Sequence, residues 1–176
     1  MRLRRATLAD VPMLRLWDKD PDVISCSTND AEGEAFGGVD WPEEIAANSD
    51  VSYHLIAEVD DAGKWRPIGA MQIVDPYLEP TQYWGEVAEN LRAVDIWIGA
   101  PEDRNRGYGT EMMRLALEQC FAAPEVTAIL IDPLVTNTNA HRFYERLGFE
   151  FVERRTFGED DCFVYRLERR KWRGGQ

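Results

Sequence analysis

The sequence predicts one α/β domain over residues 1–176, a mixed, mostly antiparallel sheet of about seven strands flanked by helices. Three observations carry this. Two segments, 108–122 and 136–147, have strong helical periodicity, and strand-like runs surround them. A strand pattern at 92–99 and a nearly all-apolar run at 126–131 are joined through the first of these helices. That connection makes a right-handed crossover with parallel strands. The remaining strands pair around Asp- and Gly-rich turns at 60–65 and 158–161, as hairpins do.

The elements follow in order. Residues 2–6 read as a first strand, and Thr7 as the N-cap of a helix carrying Val11, Leu14, Leu16 and Trp17, with Asp10 in its first turn. Residues 20–40 are rich in Asp, Ser, Asn and Gly and read as one long irregular segment, a length that usually has a function. Trp41-Pro42-Glu43-Glu44 opens a short helix. Strands follow at 51–59 and 67–74, then an irregular stretch, 75–90, with Pro76 and Pro80. In the helix at 108–122, Met113, Ala116, Leu117, Cys120 and Phe121 form the apolar stripe. Gly148 stops the helix at 136–147, and strands at 149–155 and 162–168 complete the chain.

A chain of 176 residues with 44% hydrophobic composition can bury roughly 70% of its unfolded surface, so it needs no covalent staples. The net charge is −12. Residues 166–176 are basic, whereas residues 18–50 hold ten acids against Lys19. Such a field repels nucleic acid and attracts cations. Cys26, Cys120 and Cys162 are scattered and odd in number, which argues against a disulfide framework. With only His54 and His141, no metal site is expected. The N-terminus lacks the apolar run of a signal peptide or membrane anchor, so the expected location is the cytoplasm.

The most informative stretch is Gly-Ala-Pro-Glu-Asp-Arg-Asn-Arg-Gly-Tyr-Gly-Thr at 99–110, which runs from strand through loop into helix. Arg104, Gly107 and Gly109 are its spaced residues, with Arg106 adding charge. Such a loop presents backbone N–H groups and the positive helix end to a pyrophosphate. It lacks Gly-x-Gly-x-x-Gly and Gly-Lys-Ser/Thr, which disfavours NAD and ATP.

This loop resembles the Arg/Gln-x-x-Gly-x-Gly/Ala loop of the GNAT acyl-CoA N-acyltransferases. Asn137 to Phe149 resembles that family's Asn-x-x-Ala-x-x-x-Tyr-x-x-x-Gly-Phe helix. Residues 65–155 are similar to the aminoglycoside 6′-N-acetyltransferase branch, and to acyltransferases of siderophore synthesis. The resemblance is weak over residues 20–50. It implies acetyl-CoA as co-substrate, a cationic small-molecule amine as acceptor and no metal. It implies that Ile96, Trp97 and Ile98 offer backbone groups to the pantetheine arm. Arg104, Asn105, Arg106, Gly107, Tyr108, Gly109 and Thr110 would hold the pyrophosphate, and Asn137 the pantetheine. Tyr144 would donate a proton to the departing thiolate.

Asp95 interrupts a strand in which Val94, Ile96 and Ile98 alternate with it and Trp97. A carboxylate there needs a partner or a role. As a catalytic residue it binds the substrate ammonium and takes or relays its proton; as a structural one it pairs with Arg92. Asp132, at the carboxyl end of the parallel strand, is a second anchor for a cation or the cap of the next turn. Trp84 and Glu86 offer an aromatic wall and a carboxylate. Trp41, Glu43 and Glu44 are weaker candidates of that kind. A siderophore or protein amine remains open as acceptor, as does a non-catalytic acyl-CoA-binding regulator. The oligomeric state is not legible.

Overall fold

The computed structural model describes residues 1–30 and 32–172. Residue 31, in the predicted irregular segment, and residues 173–176, the end of the basic tail, lie outside the described residues. Seven strands form one sheet: β1 (Arg2–Arg5), β2 (Ser52–Asp61), β3 (Lys64–Val74), β4 (Leu91–Ile98), β5 (Ala128–Ile131), β6 (Glu150–Phe157) and β7 (Asp160–Glu168). Their spatial order is β1-β2-β3-β4-β5-β7-β6. The β4–β5 pair is parallel and every other pair is antiparallel.

The β2–β3 hairpin is tighter than the sequence suggests. Ala62 and Gly63 both take positive φ, 53° and 84°, so a two-residue turn suffices and both strands run longer. The Asp60 carboxylate accepts the Gly63 amide at 2.7 Å.

Five helices cover the sheet: α1 (Val11–Trp17), α2 (Pro21–Ser27), α3 (Trp41–Ala46), α4 (Tyr108–Ala122) and α5 (Thr138–Arg146). The segment expected to be irregular contains α2. Pro21 sits in its first turn, and the Asp20 carboxylate accepts the amides of Asp22 and Val23 at 2.9 and 3.3 Å. Thr7 is the N-cap as expected, but of a single 3-10 turn, Leu8–Asp10, that runs directly into α1. There the Asp10 carboxylate accepts the Thr7 amide and hydroxyl and a two-pronged ion pair from Arg4.

The crossover helix α4 buries Met112, Met113, Ala116, Leu117, Cys120 and Phe121 against one sheet face, where Leu55, Met71, Val94 and Ile129 meet it. On the other face, Leu14, Trp17, Trp41 and Ile45 pack on Ile56 and Ala70. Burying a side chain of this size stabilises the fold by about 1.5–3 kcal/mol. Gly99, just past β4, leaves room for the Trp17 indole: a Cβ there would lie 2.1 Å from its ring.

Candidate active site

The site begins where the sheet parts. β4 and β5 pair only at Leu91–Ala128, Arg92–Ile129 and Ala93–Leu130. β4 then continues to Ile98 with β3 along its other edge. The edge facing β5 is therefore unpaired from Val94 onward, and a cavity of about 1630 Å³ opens beside it. Val94 to Ile98, Ile131 to Leu134 and the start of α4 all line this cavity.

At the head of α4, Asn105 and Gly107 have φ of 59° and 81°. A Cβ on Gly107 would meet nothing within 4 Å, so the backbone there is open to a ligand. The first amides of the helix have no intrahelical partners, and Tyr108, Gly109 and Thr110 line the cavity. The Asn137 side chain caps α5 by accepting the Ala140 amide at 3.1 Å, and it too lines the cavity.

Two expectations for this loop change. The Arg104 guanidinium is engaged with Asp20 at 2.8 Å, Asp22 at 2.5 Å and the Gly99 carbonyl at 2.9 Å. It ties the loop to α2 rather than standing free for a phosphate, though it borders the cavity. Arg106 is exposed and lies outside the lining. Arg142 and Arg146, one turn apart on α5, line the cavity instead.

An acidic centre lies just beyond the ladder. Asp95 is two residues past the last rung on β4, and Asp132 is one residue past the end of β5. Both line the cavity where the strands have parted. Among the described residues, no side chain donates to Asp95, which the cavity leaves open to solvent. Enclosure by protein on its other sides, and then the neighbouring Asp132, push the Asp95 carboxyl above the ordinary range. Asp132 is likewise raised, chiefly by burial, although the Tyr83 hydroxyl donates to it at 2.7 Å. Arg92 bonds Asp75 at 2.8 Å and projects to the opposite face from Asp95, so the alternative Asp95–Arg92 pair does not form. Tyr144 is 7% exposed and reaches the cavity from α5. Burial and then the charges of Asp95 and Asp132 push its phenol upward, so it stays protonated at neutral pH.

A family model described as an acetyltransferase (GNAT) domain matches residues 6–157. The chain belongs to the GNAT acetyltransferases. It is 36% identical over 74 residues to a kanamycin resistance protein of Rhizobium radiobacter, a match covering 42% of this chain and 68% of that protein. It is 34% identical over 85 residues to an aminoglycoside N(6′)-acetyltransferase type 1 of Klebsiella pneumoniae, covering 48% of this chain and 42% of that one. The crystal structure of aminoglycoside acetyltransferase AAC(6′)-Ib with coenzyme A and kanamycin superposes with a TM-score of 0.79 at 25% identity, over 96% of this chain and 95% of that one.

The far wall of the cavity is where the remaining candidate residues fall or fail to fall. Trp84 lines it, but with 5% exposure it is chiefly a core residue, packed edge-on against Tyr83 and Phe157. Glu86 is exposed and lies outside the cavity, as does Glu43. Trp41 and Glu44 do line it. The sequence reading missed Phe36, His54, Glu79, Tyr83 and Asp160, all of which line it. Burial drives the His54 pKa down to about 4, so that ring is neutral. Asp160, at the start of β7, accepts the Asn29 amide at 2.6 Å and the Thr28 hydroxyl at 3.2 Å.

The acids of residues 18–50 divide. Asp18 holds the Trp41 indole, while Asp20 and Asp22 hold Arg104. With Asp22 paired to Arg104, the acids lining the cavity are Glu44, Glu79, Asp95, Asp132 and Asp160. Among the described residues, no helix is long and apolar enough to cross a membrane, and no three metal-type ligands converge.

Proposed function

We propose that the chain transfers the acetyl group of acetyl-CoA to a primary amine of a cationic small molecule, an aminoglycoside-type aminosugar acetylated at its 6′ amine. The observation that carries this is the Asp95–Asp132 pair, close enough to interact, in a cavity that an open helix N-terminus also lines. The residues present suit acetyl-CoA. The free edge of β4 at Ile96, Trp97 and Ile98 suits the amide-bearing pantetheine arm as an added strand. Asn137, which lines the cavity, would bond that arm. The amides of Gly107 to Thr110 suit the pyrophosphate, with Arg142 and Arg146 adding positive charge. When bound, acetyl-CoA supplies a thioester carbonyl for the amine to attack.

A primary amine near pKa 10.4 arrives protonated at pH 7. Asp95 and Asp132 bind that ammonium. Charged carboxylates alone would hold its proton more tightly. Their own raised affinity for protons offsets this, because a carboxylate shifted upward is a better acceptor. Asp95 takes or relays the proton. Tyr144 donates its phenolic proton to the departing thiolate, a base with thiol pKa of about 8.5. No side-chain nucleophile is required, and attack is direct. Three free cysteines suit a reducing cytoplasm. The test is an acceptor panel of aminoglycosides, polyamines, lysine-type amines and peptides, read as released thiol. Aminoglycosides are expected to give the highest kcat/KM. Thiol release with peptides alone would overturn the acceptor assignment.

A further inference from the structure

Phe36 holds an unusual place in the acceptor wall. It is the middle residue of the turn Ala35–Gly37, with its backbone in the left-handed region at φ 53°, ψ 30°. A bulky aromatic residue adopts that conformation only when its surroundings impose it. Gly37 and Gly38 follow at φ 69° and 75°. A Cβ on Gly37 would meet nothing within 4 Å, so the turn is free on that side. Phe36 is laid on Trp97 of β4, ring centroids 4.5 Å apart, and Trp97 is 5.9 Å from Trp41. All three rings border the cavity.

Two buried polar atoms in this cluster have no partner among the described residues: Trp97 Nε1 and Asp18 Oδ1. The other Asp18 oxygen accepts the Trp41 indole N–H, and Trp41 is a ring neighbour of Trp97. A buried donor without an acceptor is rare enough to require a cause. Here Phe36 stands over Trp97 on the cavity side.

We propose that Phe36 is a specificity-determining cover of the acceptor site, displaced by a polyhydroxylated acceptor whose hydroxyl oxygen then accepts the Trp97 N–H. A hydroxyl oxygen accepts as well as donates, so a polyol can meet the Trp97 N–H on the cavity wall. The ring that bears it gains an aromatic floor in Trp41 and Trp97. A plain alkyl ammonium carries no acceptor for the Trp97 N–H and gains nothing there by moving Phe36. The inference rests on the acetyl-transfer reading for its kinetic arm only.

The experiment has two arms. In the unaltered protein, the Trp97 indole ¹⁵N–¹H resonance, assigned by its loss in Trp97→Phe, is followed during titration with a polyhydroxylated aminosugar and with an alkyl monoamine. It is expected to shift downfield with the aminosugar alone. In the second arm, Phe36→Ala is expected to raise the aminosugar-to-alkylamine ratio of kcat/KM about tenfold, because no ring has to be displaced. An indole resonance that stays fixed at saturating aminosugar overturns the proposal, since a water or nothing then serves the N–H. So does a kcat/KM ratio unchanged in Phe36→Ala. If the indole shifts while no amine is acetylated, the cover stands and the acetyl-transfer reading falls.

Discussion

Replacing Asp95 with Asn should stabilise the folded protein at pH 8 while lowering its turnover. Asp95 and Asp132 lie beyond the last rung of the β4–β5 ladder, near enough for the Asp132 charge to push the Asp95 carboxyl upward. Two like charges about 5–8 Å apart repel by about 2–3 kcal/mol at an effective dielectric of 20, and by about 0.5–0.8 kcal/mol at that of water. The cavity admits solvent to Asp95, so relief of about 1–2 kcal/mol is expected. A gain of that size should raise Tm by about 2–4 °C per kcal/mol for a chain of this length. The pH dependence has a definite sign. Both carboxyls are raised in the folded state, so the folded protein binds more protons than the unfolded chain between the ordinary carboxylate pKa and the raised values. Stability contributed by this pair therefore falls as pH rises through that window. The advantage of Asp95→Asn should be greatest at pH 8 and vanish near pH 4. Thermal melts of both proteins across pH 4–8, with turnover and amine affinity on the same samples, make the test. An Asp95→Asn protein that melts lower at pH 8, with normal turnover, would show that Asp95 is a structural anchor and that the interacting pair is wrong.

Three other substitutions probe the remaining parts of the site. Tyr144→Phe keeps the ring packed against Phe143 and Phe149; its Tm should hold, and turnover should drop by about 10²–10⁴. Unchanged turnover returns Tyr144 to the core. Calorimetry with coenzyme A should show a larger loss of affinity for Arg142→Ala than for Arg104→Ala, whose guanidinium is occupied by Asp20, Asp22 and Gly99. The reverse order would give Arg104 back to the pyrophosphate. Gly99→Ala drives a methyl into the Trp17 indole and should cost about 1–3 kcal/mol in denaturant melts; an unaltered midpoint would mean that the close approach is not real.

What could be read from the sequence follows from the range of the forces involved. The α4 and α5 helices and strands β4 and β5 showed because their apolar pattern is local. The α2 helix did not, since its Asp, Ser and Cys residues are weak helix formers and its main signals, Asp20 and Pro21, also suit a turn. Asp95, Asp132 and Tyr144 stood out as polar groups in apolar runs, and the structure gathers them around one cavity. Arg142 and Arg146 had a usable signal, their spacing of four on α5. Asp160 read as an ordinary turn residue, and Phe36 sat among glycines with no pattern. Only tertiary packing brings residues 36, 79, 83 and 160 to one wall. Glu86 misled because an acidic residue in a loop looks alike whether it faces a ligand or water, whereas Trp84 reaches the cavity but is mostly buried in the core.

The short parallel ladder has a consequence for how the molecule could come apart. Three rungs join the β1–β4 half of the sheet to the β5–β7 half, while the adjoining β3–β4 pair has six. The seam is also laced by α4, which leaves β4, packs back on β1 and β4, and then delivers the chain to β5. A break in the loop between β4 and α4 would therefore divide the chain at its narrowest join, with each piece keeping its own hairpin. Two separately expressed pieces, 1–103 and 104–176, would meet along a surface dominated by one buried helix face. Their reassembly would rebuild the cleft at the same moment, so acetyltransferase activity would report on the union of the two halves.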